Sequence, residues 1–175
     1  SVFHGFGSSW VIPETGILLN NRLTGFSLDP NSPNIIAPGK RPAHTLNAFT
    51  VVNPDGTLNI VGGTPGANIQ VQSNLQLIVN LVDLKMNVQE AIEAPRWQHL
   101  KEAGQSSEEE TGSGVPEIEN RVSAEVLERL RAKGHEVKAI APWGHGSSVQ
   151  LMQILPNGTL AFGSDPRCEG QASGI

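Results

Sequence analysis

Gly62-Gly63-Thr64-Pro65-Gly66-Ala67-Asn68 stands between an apolar stretch of strand character, residues 58–61, and a run from Val71 in which apolar residues recur at helical spacing. A strand that ends in a glycine turn and feeds a helix aims free backbone N–H groups at one spot, where an anion or a developing oxyanion can sit. Such a turn by itself more often only redirects the backbone, so its neighbours decide its meaning. Upstream, Asn53-Pro54-Asp55-Gly56 has the turn chemistry to join residues 46–52 and 58–61 as an antiparallel hairpin. Downstream, Val71, Leu75, Ile78 and Val82, widened by Leu77, Val79 and Leu81, predict a helix buried on much of its circumference against the hairpin's sheet.

The remaining segments extend the same layer. Asn87 is placed to cap a short helix through Glu93, which Pro95 stops. Ser123 is placed to cap an amphipathic helix with Val126, Leu127 and Leu130 inward and Gly134 as its left-handed end. Residues 149–155 and 159–162 read as strands joined by Pro156-Asn157-Gly158. Residues 101–120, rich in Gly, Ser and Glu, read as a flexible, solvated acidic loop. Near the start, Ile17-Leu18-Leu19 reads as a buried strand, and residues 28–40, with Pro30, Pro33 and Pro38, as a long irregular loop of the kind that carries function. Strands, helices and strands in this order predict an α+β fold with mostly antiparallel strands and helices packed on the sheet.

A chain of 175 residues, 38% hydrophobic, can form one domain with a sizeable core. Its net charge of −5, with no basic cluster, argues against nucleic acid as a partner. No apolar run is long enough to span a bilayer, and no signal-type segment opens the chain, so neither membrane nor compartment is indicated. The single cysteine, Cys168, excludes an internal disulfide and reads as an inert thiol.

Five segments then point to a family. Gly16-Ile17-Leu18-Leu19-Asn20-Asn21, Pro38-Gly39-Lys40-Arg41-Pro42, Gly63-Thr64-Pro65-Gly66, Glu90-Ala91-Ile92-Glu93-Ala94-Pro95-Arg96 and Ser164-Asp165-Pro166-Arg167 occur in the order and approximate spacing of the small subunit of γ-glutamyltranspeptidases, which the chain resembles over nearly its whole length. The resemblance implies an N-terminal-nucleophile hydrolase, an αββα sandwich of which residues 1–175 supply the C-terminal part. Its partner would be the N-terminal large-subunit part of the same self-cleaving precursor. A catalytic threonine, activated by its own α-amino group, forms an acyl-enzyme with a small-molecule amide in that family. No metal or organic cofactor is implied.

Residue by residue, the resemblance makes Gly66 and Ala67 the oxyanion hole, and alanine at the second position narrows the allowed backbone angles. Ser1 matches a hydroxyl that supports the nucleophile; the rival reading makes Ser1 itself the nucleophile. The threonine would lie upstream, so residues 1–175 alone are expected to be inactive. Where the typical transpeptidase has substrate-binding glutamine, aspartate, asparagine and a serine pair, this chain has Arg22, Gly25, Phe3, and His44 with Thr45. Losing an amine-binding carboxylate and gaining a guanidinium disfavours a zwitterionic γ-glutamyl head and favours an anionic acyl group. That pattern is similar to the cephalosporin-acylase-type branch. The alternative function is a non-catalytic family module used for binding or assembly.

Bland roles are equally open for several residues. Arg22 can pair with a surface acid, and His44 can pack as a hydrogen-bonding side chain. His4, His99, His135 and His145 lack metal-ligand spacing and read as structural or exposed. Asp165 and Arg167 read as a structural turn, and Trp10, Trp97 and Trp143 as core or rim.

Overall fold

Asn53-Pro54-Asp55-Gly56 does turn the chain: Gly56 takes φ +85° and the Asp55 carboxylate accepts from the Thr57 N–H at 2.9 Å. The computed structural model describes residues 2–3, 5–99 and 114–171. It divides the chain into two units, Ser1–Thr45 and Leu46–Ile175. In the second unit the elements run β1 (Phe49–Val52), β2 (Leu58–Gly63), α1 (Ile69–Ile78) with a π-helical turn over Val79–Asp83, and α2 (Val88–Glu93). There follow β3 (Trp97–Gln98), β4 (Glu117–Glu119), α3 (Ala124–Ala132), β5 (Lys138–Ile140), β6 (Gln150–Ile154) and β7 (Leu160–Ser164).

Four of these strands form one sheet in the order β1-β2-β6-β7, antiparallel throughout. Period-two alternation sends Ile60 and Leu151 to one face, where they meet Leu77, Leu81, Val88, Ala91, Ile92 and Val149 in the core under α1 and α2. Gly163 lets β7 approach α2, because a Cβ there would meet Ile92 Cδ1 at 2.6 Å and Val88 Cγ1 at 2.8 Å. The opposite face carries Val61, Met152 and Phe162 in one cross-strand row. They line an open apolar groove of about 300 Å³.

The capping signals hold. Asn87 and Glu90 form a reciprocal capping box at α2, and the Ser123 side chain accepts from the Val126 N–H at α3, which ends near Gly134 at φ +89°. Three glutamines then close strand edges. Gln76 exchanges both hydrogen bonds with the Trp97 backbone (3.0 and 2.9 Å), Gln72 does the same with His99 (2.8 and 3.0 Å), and Gln89 with Ser164 (3.0 and 3.1 Å).

Four expectations need correction. The inward face of α1 is Ile69, Gln70, Ser73, Asn74 and Leu77, while Val71 and Leu75 are 63% and 55% exposed. Two of the polar members are buried with partners: Asn74 donates to the Asn47 carbonyl (2.8 Å) and Ser73 to the Ile69 carbonyl (3.0 Å). On α3, Val126 is exposed and Leu127 and Leu130 are half-buried. Within the expected loop of residues 101–120, residues 117–119 form β4, which pairs antiparallel with β3 and parallel with β5, and residues 101–113 lie outside the described residues. Lastly, Ile17-Leu18-Leu19 makes only a single bridge among the described residues, Val11 to Leu18, and both Ile17 and Leu19 are exposed. Residues 28–40 are irregular as expected.

Candidate active site

In the first unit the chain turns through a short 3-10 segment, Arg22–Gly25. It is set up by Asn20, whose side chain accepts from the Arg22 N–H at 2.9 Å. The Arg22 guanidinium lies over the Phe3 ring, 3.9 Å from its centroid, and donates to the Thr45 hydroxyl at 3.2 Å. Three of the expected recognition residues thus meet at one cation. Gly25 packs on the backbone beside them: a Cβ there would stand 2.5 Å from the Ala43 carbonyl oxygen. Asn34 ties the two segments, donating to the Gly25 carbonyl and accepting from the Ala43 N–H at 3.1 Å. His44 follows directly and is exposed. Ser1 and His4 lie outside the described residues.

The second unit presents the glycine turn. Gly66 takes φ +114° and Ala67 φ +44°, so an alanine occupies the left-handed region that glycine enters without cost. That position costs about 1 kcal/mol and persists because its surroundings fix it. Thr64 anchors one side, donating to the Asn74 side chain at 3.1 Å. Helix α1 anchors the other, with the Ile69 N–H on the Gly66 carbonyl at 3.0 Å. Among the described residues, no hydrogen bond takes up the Gly66 or Ala67 N–H. Two adjacent donors at the start of a helix are the equipment for holding an oxyanion.

Beneath the turn lies a buried charge cluster. Arg96 pairs with Asp165, and Arg167 reaches Asp165 at 2.9 Å and Glu119 at 2.7 Å. Glu119 also takes the Arg121 guanidinium at 2.7 Å. Arg121 and Arg167 both lie over Trp143, 3.4 and 4.9 Å from its ring centroid. Burial raises the Glu119 pKa, yet the hydrogen bonds from Arg167 and Arg121 outweigh it and bring the value down to about 2. His145 is buried and, with Arg96 nearby, is held down to about 4, so it stays neutral at pH 7. Its Nδ1 accepts from the Ser147 N–H at 3.1 Å, which puts the ring proton on Nε2.

Ser147 joins this cluster to the turn. Its carbonyl accepts from Arg96 Nη1 at 2.9 Å and its hydroxyl donates to the Pro65 carbonyl at 2.5 Å. Arg96, Glu119 and Ser147 were not among the expected site residues. Arg96 and Arg167 both close segments that carry the family resemblance, and two cations recurring there were the available signal; Glu119 and Ser147 offered none.

The family model described as gamma-glutamyltranspeptidase matches residues 1–175. The oxamate amidohydrolase proenzyme of Klebsiella pneumoniae is 36% identical over 178 residues, covering 99% of this chain and 32% of its own length. The chain thus spans about a third of the length of the curated relatives it matches first. Cephalosporin acylase from Bacillus halodurans superimposes with a TM-score of 0.81 at 33% identity, over 98% of this chain and 30% of that one. The gamma-glutamyltranspeptidase of Pseudomonas nitroreducens, at 24% identity, shares the fold with a TM-score of 0.77, over 100% of this chain and 90% of that one.

Proposed function

Because the chain belongs to the γ-glutamyltranspeptidase family, whose model matches it from end to end, we propose that it is the C-terminal, small-subunit part of an amidohydrolase that favours anionic acyl groups. The observation that carries this reading is the Arg22 guanidinium, set on Phe3 and Thr45 beside a Gly25 that leaves no room for a carboxylate. A fixed guanidinium takes a carboxylate and repels an α-ammonium. Relatives named oxamate amidohydrolase and acylase accord with it. His44, next to Thr45, would lie at the edge of the recognition group.

The acyl step would run through a nucleophilic threonine upstream of Ser1, with Ser1 supporting it by hydrogen bonding. The Gly66 and Ala67 N–H groups would stabilise the tetrahedral oxyanion. The 90% coverage of one chain of the P. nitroreducens enzyme supports a separate subunit of about this extent. The apolar row Val61, Met152 and Phe162 would pack against the sheet of the large-subunit part, as the second layer of an αββα sandwich.

Two measurements test this. In the assembled enzyme, p-nitroaniline release from glutaryl p-nitroanilide should exceed that from γ-glutamyl p-nitroanilide, and Arg22→Gln should lower kcat/KM for the glutaryl substrate about tenfold or more. Fast γ-glutamyl transfer with no glutaryl cleavage would sink the proposal. Residues 1–175 alone should turn over neither substrate, and a burst of acylation at Ser1 would make Ser1 the nucleophile instead.

A further inference from the structure

We propose that Ser147 is a positioning residue that aims the Gly66 N–H into the oxyanion hole; this rests on the assignment of that hole made above. A trans peptide is planar, so the carbonyl of Pro65 and the N–H of Gly66 point in opposite directions. Whatever holds the carbonyl therefore aims the N–H. The Ser147 hydroxyl holds it, at 2.5 Å, with the Ser148 carbonyl as a distant second acceptor at 3.4 Å.

The contact is built for constancy. Ser147 is buried, and its own backbone is fixed on both sides: the N–H donates to His145 Nδ1 at 3.1 Å and the carbonyl accepts from Arg96 at 2.9 Å. No side chain fits at Gly66, since a Cβ there would meet Ile69 Cγ1 at 2.9 Å and Ser147 Cβ at 3.1 Å. At φ +114° glycine can swing its peptide planes with little backbone resistance, so the orientation must come from outside the turn. Oxyanion donors act only when they are already aimed at the position where charge develops. An unheld Pro65-Gly66 peptide would reorganise at the moment of reaction.

A donor used in the transition state, and not in the ground state, makes kcat and kcat/KM fall together while KM stays put. With glutaryl p-nitroanilide and the assembled enzyme, Ser147→Ala should lower both about tenfold or more at unchanged KM. Ser147→Thr and Ser147→Val have nearly the same shape and differ in the hydroxyl. Thr should recover most of the rate and Val should not, with similar melting temperatures. An unchanged kcat in Ser147→Ala, or equal losses in Thr and Val, overturns the role of the hydroxyl while leaving the oxyanion hole standing. A wild-type enzyme without turnover on any amide overturns the hole itself and this inference with it.

Discussion

Glu119→Ala should cost about 3–5 kcal/mol, enough to leave much of the second unit unfolded. The carboxylate is fully buried and accepts from Arg167 Nε and Nη2 and from Arg121 Nη2, each at 2.7 Å. It also takes the backbone N–H groups of His145 (3.2 Å) and Arg96 (3.3 Å). Removing it leaves Arg96, Arg121 and Arg167 with Asp165 as the only remaining carboxylate of the cluster. The cost comes mainly from stranding buried guanidinium charge, more than from losing the attraction itself. Glu119→Gln, which keeps an acceptor for the two N–H groups, should fall between the wild type and the alanine variant. Urea unfolding followed by tryptophan emission reads this, and an alanine variant within about 1 kcal/mol of wild type would show that the cluster does not hold the fold.

Acid should destabilise the protein in two overlapping steps. His145 ordinarily titrates at 6.5 and is held down to about 4 in the fold; Glu119 ordinarily titrates at 4.5 and is held at about 2. In both cases the unfolded chain binds the proton first, so each contribution is complete above the unfolded value and disappears as pH falls toward the folded one. The His145 contribution is lost between pH 6.5 and about 4, and that of Glu119 between pH 4.5 and about 2. Each is worth about 3 kcal/mol, and together they are comparable with the roughly 5–15 kcal/mol that holds a domain folded. The urea midpoint should be flat above pH 7 and fall steeply below 6, with His145→Gln flattening the upper step. A midpoint unchanged from pH 7 to 4 would contradict this assignment.

Much of the architecture was legible because it is written locally. The hairpin at Asn53 to Gly56, the capping box of Asn87 and Glu90, and the turn at Asn157 and Gly158 are each specified within a few residues. The face of α1 was not, because Asn74 is drawn inward by the Asn47 carbonyl and the Thr64 hydroxyl on other segments, which no period within the helix records. The three-stranded sheet escaped for a related reason. Strands of two and three residues carry no pattern, and β4 buries a glutamate where an apolar residue would be expected. That glutamate makes sense only once Arg167, 48 residues away in sequence, is beside it. The site divides in the same manner. Gly66 and Ala67 stand in a short motif, whereas Ser147 reaches Pro65 across 82 residues.

The glutamine clamps on Trp97, His99 and Ser164 bear on behaviour in crowded solution. An exposed strand edge is a template onto which another chain can add, and hydrophobic edges seed fibrils. A carboxamide that exchanges both hydrogen bonds with an edge peptide behaves as a strand one residue long that cannot be extended. Helices α1 and α2 thereby cap β3 and the Ser164 end of β7 chemically, which removes part of the edge onto which another chain could add.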